Sequence, residues 1–353
     1  MSVIPQLVYR LDRSYAWNYS HAPSLPRVRR LPPGPGGNLL GYRLNSSVGI
    51  AAGPLLNSKW VEAYSRVGFD VLTYATVRSA FRPALGLPNI RPVRNRDQFA
   101  ITTRRTLPDG AVTIAVSTGI PSMEPEIWRR DVRRAKERLG PGQVLVVSVV
   151  GTPGPEGDYD ALVSDYAQCA GWAAEAGADV IEVHLACPDP FTEHLRMIYE
   201  NPPLSAHVLY RVRTTVSVPV IAKLGLFRTP RLLHETANKL APWASGFVMV
   251  HGLPRRVVDE TGNAVFEASG RDLPYVVGSE TYPVASRQVL ELLAWRKAGA
   301  WDRAVLAAGG ITTVDRAETL LRDGADVALV ATAALSDPLF AVRFRQISGV
   351  SAA

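Results

Sequence analysis

The chain has 353 residues, 47% of them hydrophobic and 20% charged, a balance typical of a globular protein with a substantial core. It contains no run of about 18 apolar residues and no secretory leader pattern, so we expect a cytoplasmic protein without a membrane span. Its two cysteines, Cys169 and Cys187, are too few for a disulfide framework, a cysteine-only zinc site or an iron–sulfur site, and we predict no bound metal.

The net charge of +7 could reflect nucleic-acid binding, but the basic residues are dispersed along the chain. The densest basic stretch, WRRDVRRAKERLG at residues 128–140, has Asp131 and Glu137 among its arginines. This interleaving is typical of a solvated helix face rather than of a stripe that follows phosphates. We therefore predict no nucleic-acid partner, while a basic surface would also attract an anionic cofactor or substrate.

The chain changes character near residue 46. Residues 1–45 are rich in Pro, Gly, Tyr and Arg and predict an irregular extension that wraps a later core. From residue 46 to 348, short runs rich in Val and Ile alternate with longer helix-like stretches. The apolar runs are residues 48–53, 70–77, 143–151, 179–186, 218–225, 246–252, 304–310 and 326–332. The helix-like stretches are residues 57–67, 124–139, 158–177, 203–215, 230–241, 283–298, 313–323 and 336–347.

Nearly continuous apolar runs are typical of parallel strands buried on both faces. Their alternation with helices predicts an α/β fold with a parallel sheet. Eight such units over about 300 residues predict a (β/α)8 TIM barrel, and a doubly wound open sheet is the alternative. Residues 78–120 are too long for a simple connection and alternate like short antiparallel strands. We predict that they form an insertion after the second strand, over one barrel mouth.

The C-terminal ends of barrel strands are where the chemistry of this architecture takes place. The seventh run ends in Gly309–Gly310 before a Thr-rich helix start, and VATAALSDP repeats the arrangement one unit later. Backbone N–H groups and a helix N-terminus can bind an anion there, so these ends predict a phosphate site. Tight strand-to-helix packing is the alternative. The strand-end residues are Ala51, Ala52, Gly53, Thr76, Cys187, Lys223, His251, Gly309, Gly310, Ala331 and Thr332.

Two of these strand ends have side chains with their own chemistry. Lys223 ends the otherwise apolar VPVIAK, and lysine is rarely buried without a partner. It either reaches solvent or faces an anionic or electron-rich ligand in the barrel mouth. Cys187 follows a strand and precedes a proline turn. It is either a small core residue or a proton donor or nucleophile.

Residues 46–345 resemble the dihydroorotate dehydrogenase family and the related C-terminal barrel of dihydropyrimidine dehydrogenase. The resemblance rests on four motifs in order: VGIAAGP, ACPD, VPVIAKLG and AAGGI…GADVALVATA. These families are FMN-dependent (β/α)8 oxidoreductases, so the resemblance implies FMN as the cofactor. By the same resemblance, Cys187 matches the catalytic base and Lys223 the lysine near N1 and O2 of the flavin. The cofactor-binding residues implied are Ala51, Ala52, Gly53, Thr76, Lys223, Gly278, Gly309, Gly310, Ala331 and Thr332.

The substrate pocket departs from the family pattern. The family holds a pyrimidine with several asparagines, and the matching positions here are Val116, His184, Asp189 and His251. With Ser117, these are the predicted substrate-binding residues. The family's flavin-side lysine near the second strand is also missing from this sequence. Histidines and an aspartate suggest an ionisable ligand or a second proton relay.

We therefore predict an FMN-dependent oxidoreductase that acts on a C–C bond next to a carbonyl or amide, with a small-molecule substrate other than orotate. The alternatives are a true dihydroorotate dehydrogenase and a phosphate-binding barrel without redox chemistry. The sequence has no dinucleotide fingerprint, cysteine cluster or N-terminal amphipathic helix pair for quinone access. The electron acceptor is thus a soluble molecule, a partner chain or oxygen, and a homodimer is a possible assembly.

Overall fold

The computed structural model describes residues 7–95, 99–101, 110–154, 156–192, 196–266 and 273–349. Its strands are β1 (Gly37–Leu39), β2 (Tyr42–Leu44), β3 (Val48–Leu55), β4 (Val71–Val77), β5 (Ile90–Asn95), β6 (Phe99–Ile101), β7 (Thr113–Val116), β8 (Val144–Val149), β9 (Val180–His184), β10 (Val220–Lys223), β11 (Gly246–Met249), β12 (Leu253–Pro254), β13 (Val257–Val258), β14 (Tyr275–Gly278), β15 (Ala304–Ala307) and β16 (Val327–Val330). Its helices are α1 (Tyr15–Ser20), α2 (Ser58–Ser65), α3 (Pro125–Glu137), α4 (Tyr159–Glu175), α5 (Pro202–Thr215), α6 (Pro230–Leu240), α7 (Tyr282–Lys297), α8 (Val314–Arg322), α9 (Thr332–Ser336) and α10 (Phe340–Ser348).

The predicted (β/α)8 barrel is confirmed. Eight parallel strands close in the order β3, β4, β8, β9, β10, β11, β15 and β16, and each of them falls on one of the predicted apolar runs. The predicted helices are present as well, although the last begins at Phe340 rather than at residue 336. Pro338 explains this shift, because proline disfavours helical backbone in the residue before it. The open-sheet alternative is wrong.

The barrel strands bury both faces because alternate side chains point inward and outward. In β8, Val144 and Val146 pack in the barrel interior, whereas Val147 and Val149 pack against the surrounding helices. Both sets are buried, which explains why the runs are nearly continuous in hydrophobic residues.

The N-terminal extension contains regular structure that closes the lower end of the barrel. Strands β1 and β2 form an antiparallel hairpin, and its Leu39 and Leu44 are buried among the interior barrel valines. The Tyr42 hydroxyl donates to the backbone oxygen of Asp179, just before β9 begins, at 3.1 Å. This part of residues 1–45 is therefore ordered packing and not only an irregular wrap. The division of the chain at residue 46 stays a prediction.

The upper end of the barrel is covered by a six-stranded sheet in the order β12, β14, β7, β5, β6 and β13. Residues 78–120 supply β5, β6 and β7, which agrees with the predicted insertion, although residues 96–98 and 102–109 lie outside the described part of the chain. The other three strands come from residues 253–278, a second insertion that we did not predict. Strand β14 pairs antiparallel with β7, which joins the two insertions into one lid.

Residues 7–20 lie across the barrel mouth beside this lid. The backbone N–H of Val8 donates to the backbone oxygen of Leu335 at 2.9 Å, and the indole of Trp60 donates to that of Asn18 at 3.1 Å. These bonds fix the segment over β3, α2 and α9. Among the described residues, no helix has the length and hydrophobicity needed to cross a membrane.

Candidate active site

A cavity of about 1400 Å³, counted with its water-filled mouth, lies between the C-terminal strand ends and the lid. Its lining is largely apolar with a small number of polar groups, which is the usual character of a small-molecule site. The predicted site residues that line it are Ala51, Ala52, Gly53, Thr76, Val116, His184, Lys223, His251, Gly278, Gly309, Gly310, Ala331 and Thr332. Three others, Ser117, Cys187 and Asp189, do not.

The end of the cavity beside β15 and β16 is shaped by glycines. Gly309 and Gly310 have φ values of +103° and +80°, and a Cβ on Gly310 would lie 2.5 Å from the backbone nitrogen of Tyr282. Side chains are therefore excluded, and a ligand can approach the backbone closely. Thr332 is 3% exposed, and within the described part of the chain its hydroxyl has no hydrogen-bond partner. A buried hydroxyl without a partner at a cavity wall is suited to a ligand oxygen.

Arg316, a residue that we did not predict, braces this end of the cavity. Its Nη1 donates to the backbone oxygen of Gly310 at 2.9 Å and to the hydroxyl of Thr312 at 3.0 Å. It also donates to the side-chain hydroxyl of Ser279 at 3.1 Å. The loops after β14 and β15 are thus held together by one guanidinium group. These features fit the phosphate group of FMN, which the resemblance implies.

The first two barrel strands form an open wall of small residues. Gly53 has a φ of +130°, and a Cβ built on it would meet no atom within 4 Å. The Thr76 hydroxyl donates to that of Ser148 at 2.9 Å. Where the family has its flavin-side lysine, Ala75 lines the cavity, while the Tyr74 hydroxyl donates to the Asp131 carboxylate at 2.8 Å. A flat ring can therefore lie against this wall.

Lys223 ends β10 at the cavity wall and is 3% exposed. Its Nζ lies 3.5 Å from Oε1 of Glu182, which is fully buried inside the barrel on β9. The lysine therefore does not reach open solvent, which was the alternative to a ligand contact. It supplies the cavity with a cationic side chain at the position where the resemblance expects one.

The two histidines lie together at the mouth. The rings of His184 and His251 are 4.9 Å apart in an edge-to-face arrangement, and His251 stacks in the same way on Tyr275 at 4.6 Å. The Tyr275 hydroxyl donates to the backbone oxygen of Ala186 at 3.2 Å, which anchors the ring between the lid and the loop after β9. We did not predict Tyr275, although YVV before Gly278, an aromatic residue followed by two β-branched residues, is a recognisable strand signal.

Cys187 lies behind the cavity wall. Its thiol donates to the backbone oxygen of His184 at 3.3 Å, and its Sγ lies 3.5 Å from the Tyr166 hydroxyl. The Tyr166 hydroxyl also donates to the backbone oxygen of His184, at 2.9 Å. Burial raises the pKa of Tyr166 well above its usual value, so this residue stays a neutral phenol. The roles of Cys187, Asp189 and Ser117 stay predictions.

Asp189 and Ser117 also lie outside the cavity lining, and each is held by hydrogen bonds to neighbouring residues. Asp189 is 3% exposed and accepts hydrogen bonds from the Tyr159 hydroxyl at 3.2 Å and the Phe191 backbone at 3.0 Å. The backbone N–H of Ser117 donates to Asn89 at 2.8 Å. Neither residue lines the cavity, although Ser117 lies between the lining residues Val116 and Thr118.

Residues of the N-terminal segment also line the cavity, which the sequence did not reveal. Tyr9 and Tyr15 both lie on its wall. The Tyr9 hydroxyl lies near the side chain of Asn18, whose amide is bonded to the backbone of Arg10 and Ser14. Burial raises the pKa of Tyr9, so it stays protonated. Aromatic residues in an irregular segment have no periodicity that would indicate this position.

Comparison with known proteins gave relatives of one kind, and no family model matches the chain. A dihydroorotate dehydrogenase from Dictyostelium discoideum is 28% identical, and the match covers 96% of each chain. A quinone-type dihydroorotate dehydrogenase from a Nocardioides species is 27% identical over 84% of this chain and 81% of its own. A putative fumarate-type dihydroorotate dehydrogenase A from Aeropyrum pernix is 27% identical over 48% of this chain and 52% of its own. All three are oxidoreductases, which argues against a phosphate-binding barrel without redox chemistry.

Proposed function

We propose that the chain uses FMN to oxidise or reduce a C–C bond next to a carbonyl or amide. The premise is that it belongs to a dihydroorotate dehydrogenase-like family of oxidoreductases acting on CH–CH bonds. The observation behind this proposal is the cavity, in which a phosphate-sized end of glycines and an unpartnered threonine is joined to Lys223 and a histidine pair. A bound FMN would supply hydride transfer at its N5.

The chain's own residues divide the remaining work. Gly309, Gly310 and Thr332 would hold the phosphate, and Lys223 would place its positive charge beside the N1 end of the ring. Cys187 would move a proton to or from the substrate carbon on the side away from the ring. The lid covers the cavity, and exclusion of water on ligand binding would strengthen each of these electrostatic contacts.

The polarity of the substrate can be inferred from the residues that line the cavity. None of the described residues that line it is Asn, Gln, Asp or Glu. The lid contributes Ile114, Val116, Thr118 and Val277, and His184 and His251 form a polar edge of the wall. A ring with polar groups on most edges would leave them unpaired here, at a cost of about 1–3 kcal/mol for each. The substrate we propose therefore has a largely apolar body and one polar or anionic edge that meets the histidines.

A true dihydroorotate dehydrogenase is the second candidate. It is favoured by the names of the three relatives, one of which matches nearly the whole chain. The two candidates differ in substrate but share the cofactor, so they require separate tests.

We expect the purified protein to contain FMN rather than FAD, because the sequence has a two-glycine phosphate end and no dinucleotide fingerprint. Acid release followed by chromatography identifies the flavin. Gly310→Ala should abolish binding, because the new Cβ would clash with Tyr282. Gly299→Ala is the matched control, since Gly299 also has a positive φ of +85° but no atom near its Cβ position. Recovery of FAD, or no flavin after reconstitution, would contradict the proposal.

We expect Lys223→Met to weaken FMN binding or to make the flavin harder to reduce. Loss of a charged hydrogen-bond donor in a dry site costs about 1.5–3 kcal/mol, or about 10- to 100-fold in affinity. Flavin fluorescence titration and a reduction potential measure the two effects. Lys239→Met on the exposed surface of α6 is the control. Unchanged affinity and potential would mean that Lys223 does not lie beside the ring.

A further inference from the structure

Glu182 is a buried carboxylate that the proposed chemistry does not use. It lies on β9 in register with Ile221 of β10, one inward-facing position below Lys223. The residue is 0% exposed, and neither of its carboxylate oxygens has a hydrogen-bond partner among the residues that the structure describes. The nearest cation is Nζ of Lys223, 3.5 Å from Oε1. Glu182 does not line the cavity, so it does not contact a ligand there directly, whereas its neighbour Lys223 does line it.

The length of this contact is informative. A charge-assisted N–H···O bond is about 2.7–2.9 Å long, so a separation of 3.5 Å holds the two charges together without a tight hydrogen bond. An ammonium group has three N–H donors, and Lys223 itself lines the cavity. The carboxylate thus offsets the positive charge of Lys223 from the barrel interior. The N–H donors of the ammonium group stay available to a ligand in the cavity.

We propose that Glu182 is a positioning residue that holds Lys223 at the cavity wall and limits how strongly Lys223 attracts negative charge in a ligand. With Glu182 present, the pair has no net charge. The carboxylate therefore weakens the attraction between Lys223 and negative charge that develops on a ligand beside it. Removing the negative charge while keeping the shape should strengthen that attraction. This inference rests on the proposed function only for the identity of the ligand as FMN.

The flavin test uses Glu182→Gln, because glutamine keeps the size of glutamate and an oxygen that faces Lys223. We expect the variant to bind reduced FMN about tenfold more tightly relative to oxidised FMN, which raises the two-electron potential by about 30 mV. Asp326→Asn is the control with the same charge change, since Asp326 pairs with Arg296 at the opposite end of the barrel. An unchanged potential in Glu182→Gln would overturn the inference.

A second test needs no flavin and follows unfolding of the flavin-free protein in urea. Glu182→Gln and Lys223→Met should each destabilise it, because each leaves a buried partner uncompensated. If the two substitutions acted independently, their effects on the unfolding equilibrium constant would multiply in the double variant. We expect the double variant to be at least tenfold more stable than that product. If Glu182→Gln alone fails to fold, we expect the double variant to fold.

The outcomes separate the two levels of the proposal. Independent effects in the stability cycle, or a double variant that also fails to fold, would show that Glu182 does not act through Lys223. Coupling in that cycle without a change in potential would mean a structural role only, and would overturn the inference. A wild-type protein that binds no FMN would refute the proposed function and the flavin role of Glu182, whereas the stability cycle would still report on the pair.

Discussion

Replacing Cys187 with alanine is expected to slow substrate-driven reduction of bound FMN by about 10²–10⁴-fold, the usual contribution of general acid–base catalysis. FMN should stay bound, because Cys187 does not line the cavity where the cofactor residues lie. Stopped-flow absorbance of the flavin measures the rate, and the FMN content of each preparation measures binding. Cys187→Ser should retain part of the activity at higher pH, since the related family also uses serine at this position.

The geometry around Cys187 explains why this experiment is needed. Its Sγ contacts the backbone oxygen of His184 and the hydroxyl of Tyr166. Proton transfer to a substrate requires a heavy-atom distance of about 2.6–3.2 Å, and catalytic contacts often tighten only when the substrate is bound. In this structure the thiol contacts the backbone of the lining residue His184 but does not itself line the cavity.

Cys169 provides the matched control for this experiment. It is a fully buried thiol in the middle of α4, and burial raises its pKa. Cys169→Ala should leave the rate of flavin reduction within about twofold of the wild type, because Cys169 lies in the middle of α4 and is not among the described residues that line the cavity. An equal loss of rate in both variants, or an unchanged rate in Cys187→Ala, would refute the role of Cys187 as acid and base.

The barrel was predictable because its physical signal is local. Each strand is buried on both faces, so runs such as residues 143–151 stand out from any helical or loop pattern. The lid was only half predictable. Strands β12 and β13 are two residues each, too short to show alternation, and they gain their order from pairing with β14 and β6 across the chain. Such pairing depends on the tertiary structure and leaves no mark in a single sequence.

The candidate site was predictable where backbone geometry determines it. Gly309 and Gly310 follow a strand directly, and strand ends of a parallel barrel converge at one mouth. Side-chain direction was not predictable for the loop after β9. His184, the last residue of β9, lines the cavity, whereas Cys187 and Asp189 in that loop do not, and they contact Tyr166 and Tyr159 of helix α4 instead.

Mixing the protein with dihydroorotate should give no fast bleaching of the flavin. The lid presents Val116, which cannot form a hydrogen bond through its side chain, and the polar edge presents His184 and His251. A site that is built to pair amide edges rejects rings without them, and the converse also holds. Stopped-flow absorbance measures the rate, and photoreduction of the same sample serves as the control that its flavin can be reduced.

The reciprocal variant tests the same pocket by restoring the missing groups. His184→Asn combined with His251→Asn provides two amides at the positions where the family has them, and should make flavin reduction by dihydroorotate faster than in the wild type. The variant must first retain its FMN, which its absorbance spectrum shows. If dihydroorotate already reduces the wild-type flavin at about 1–10³ s⁻¹, the range of ordinary enzymes, the histidine edge accepts a pyrimidine and the chain acts as a true dihydroorotate dehydrogenase.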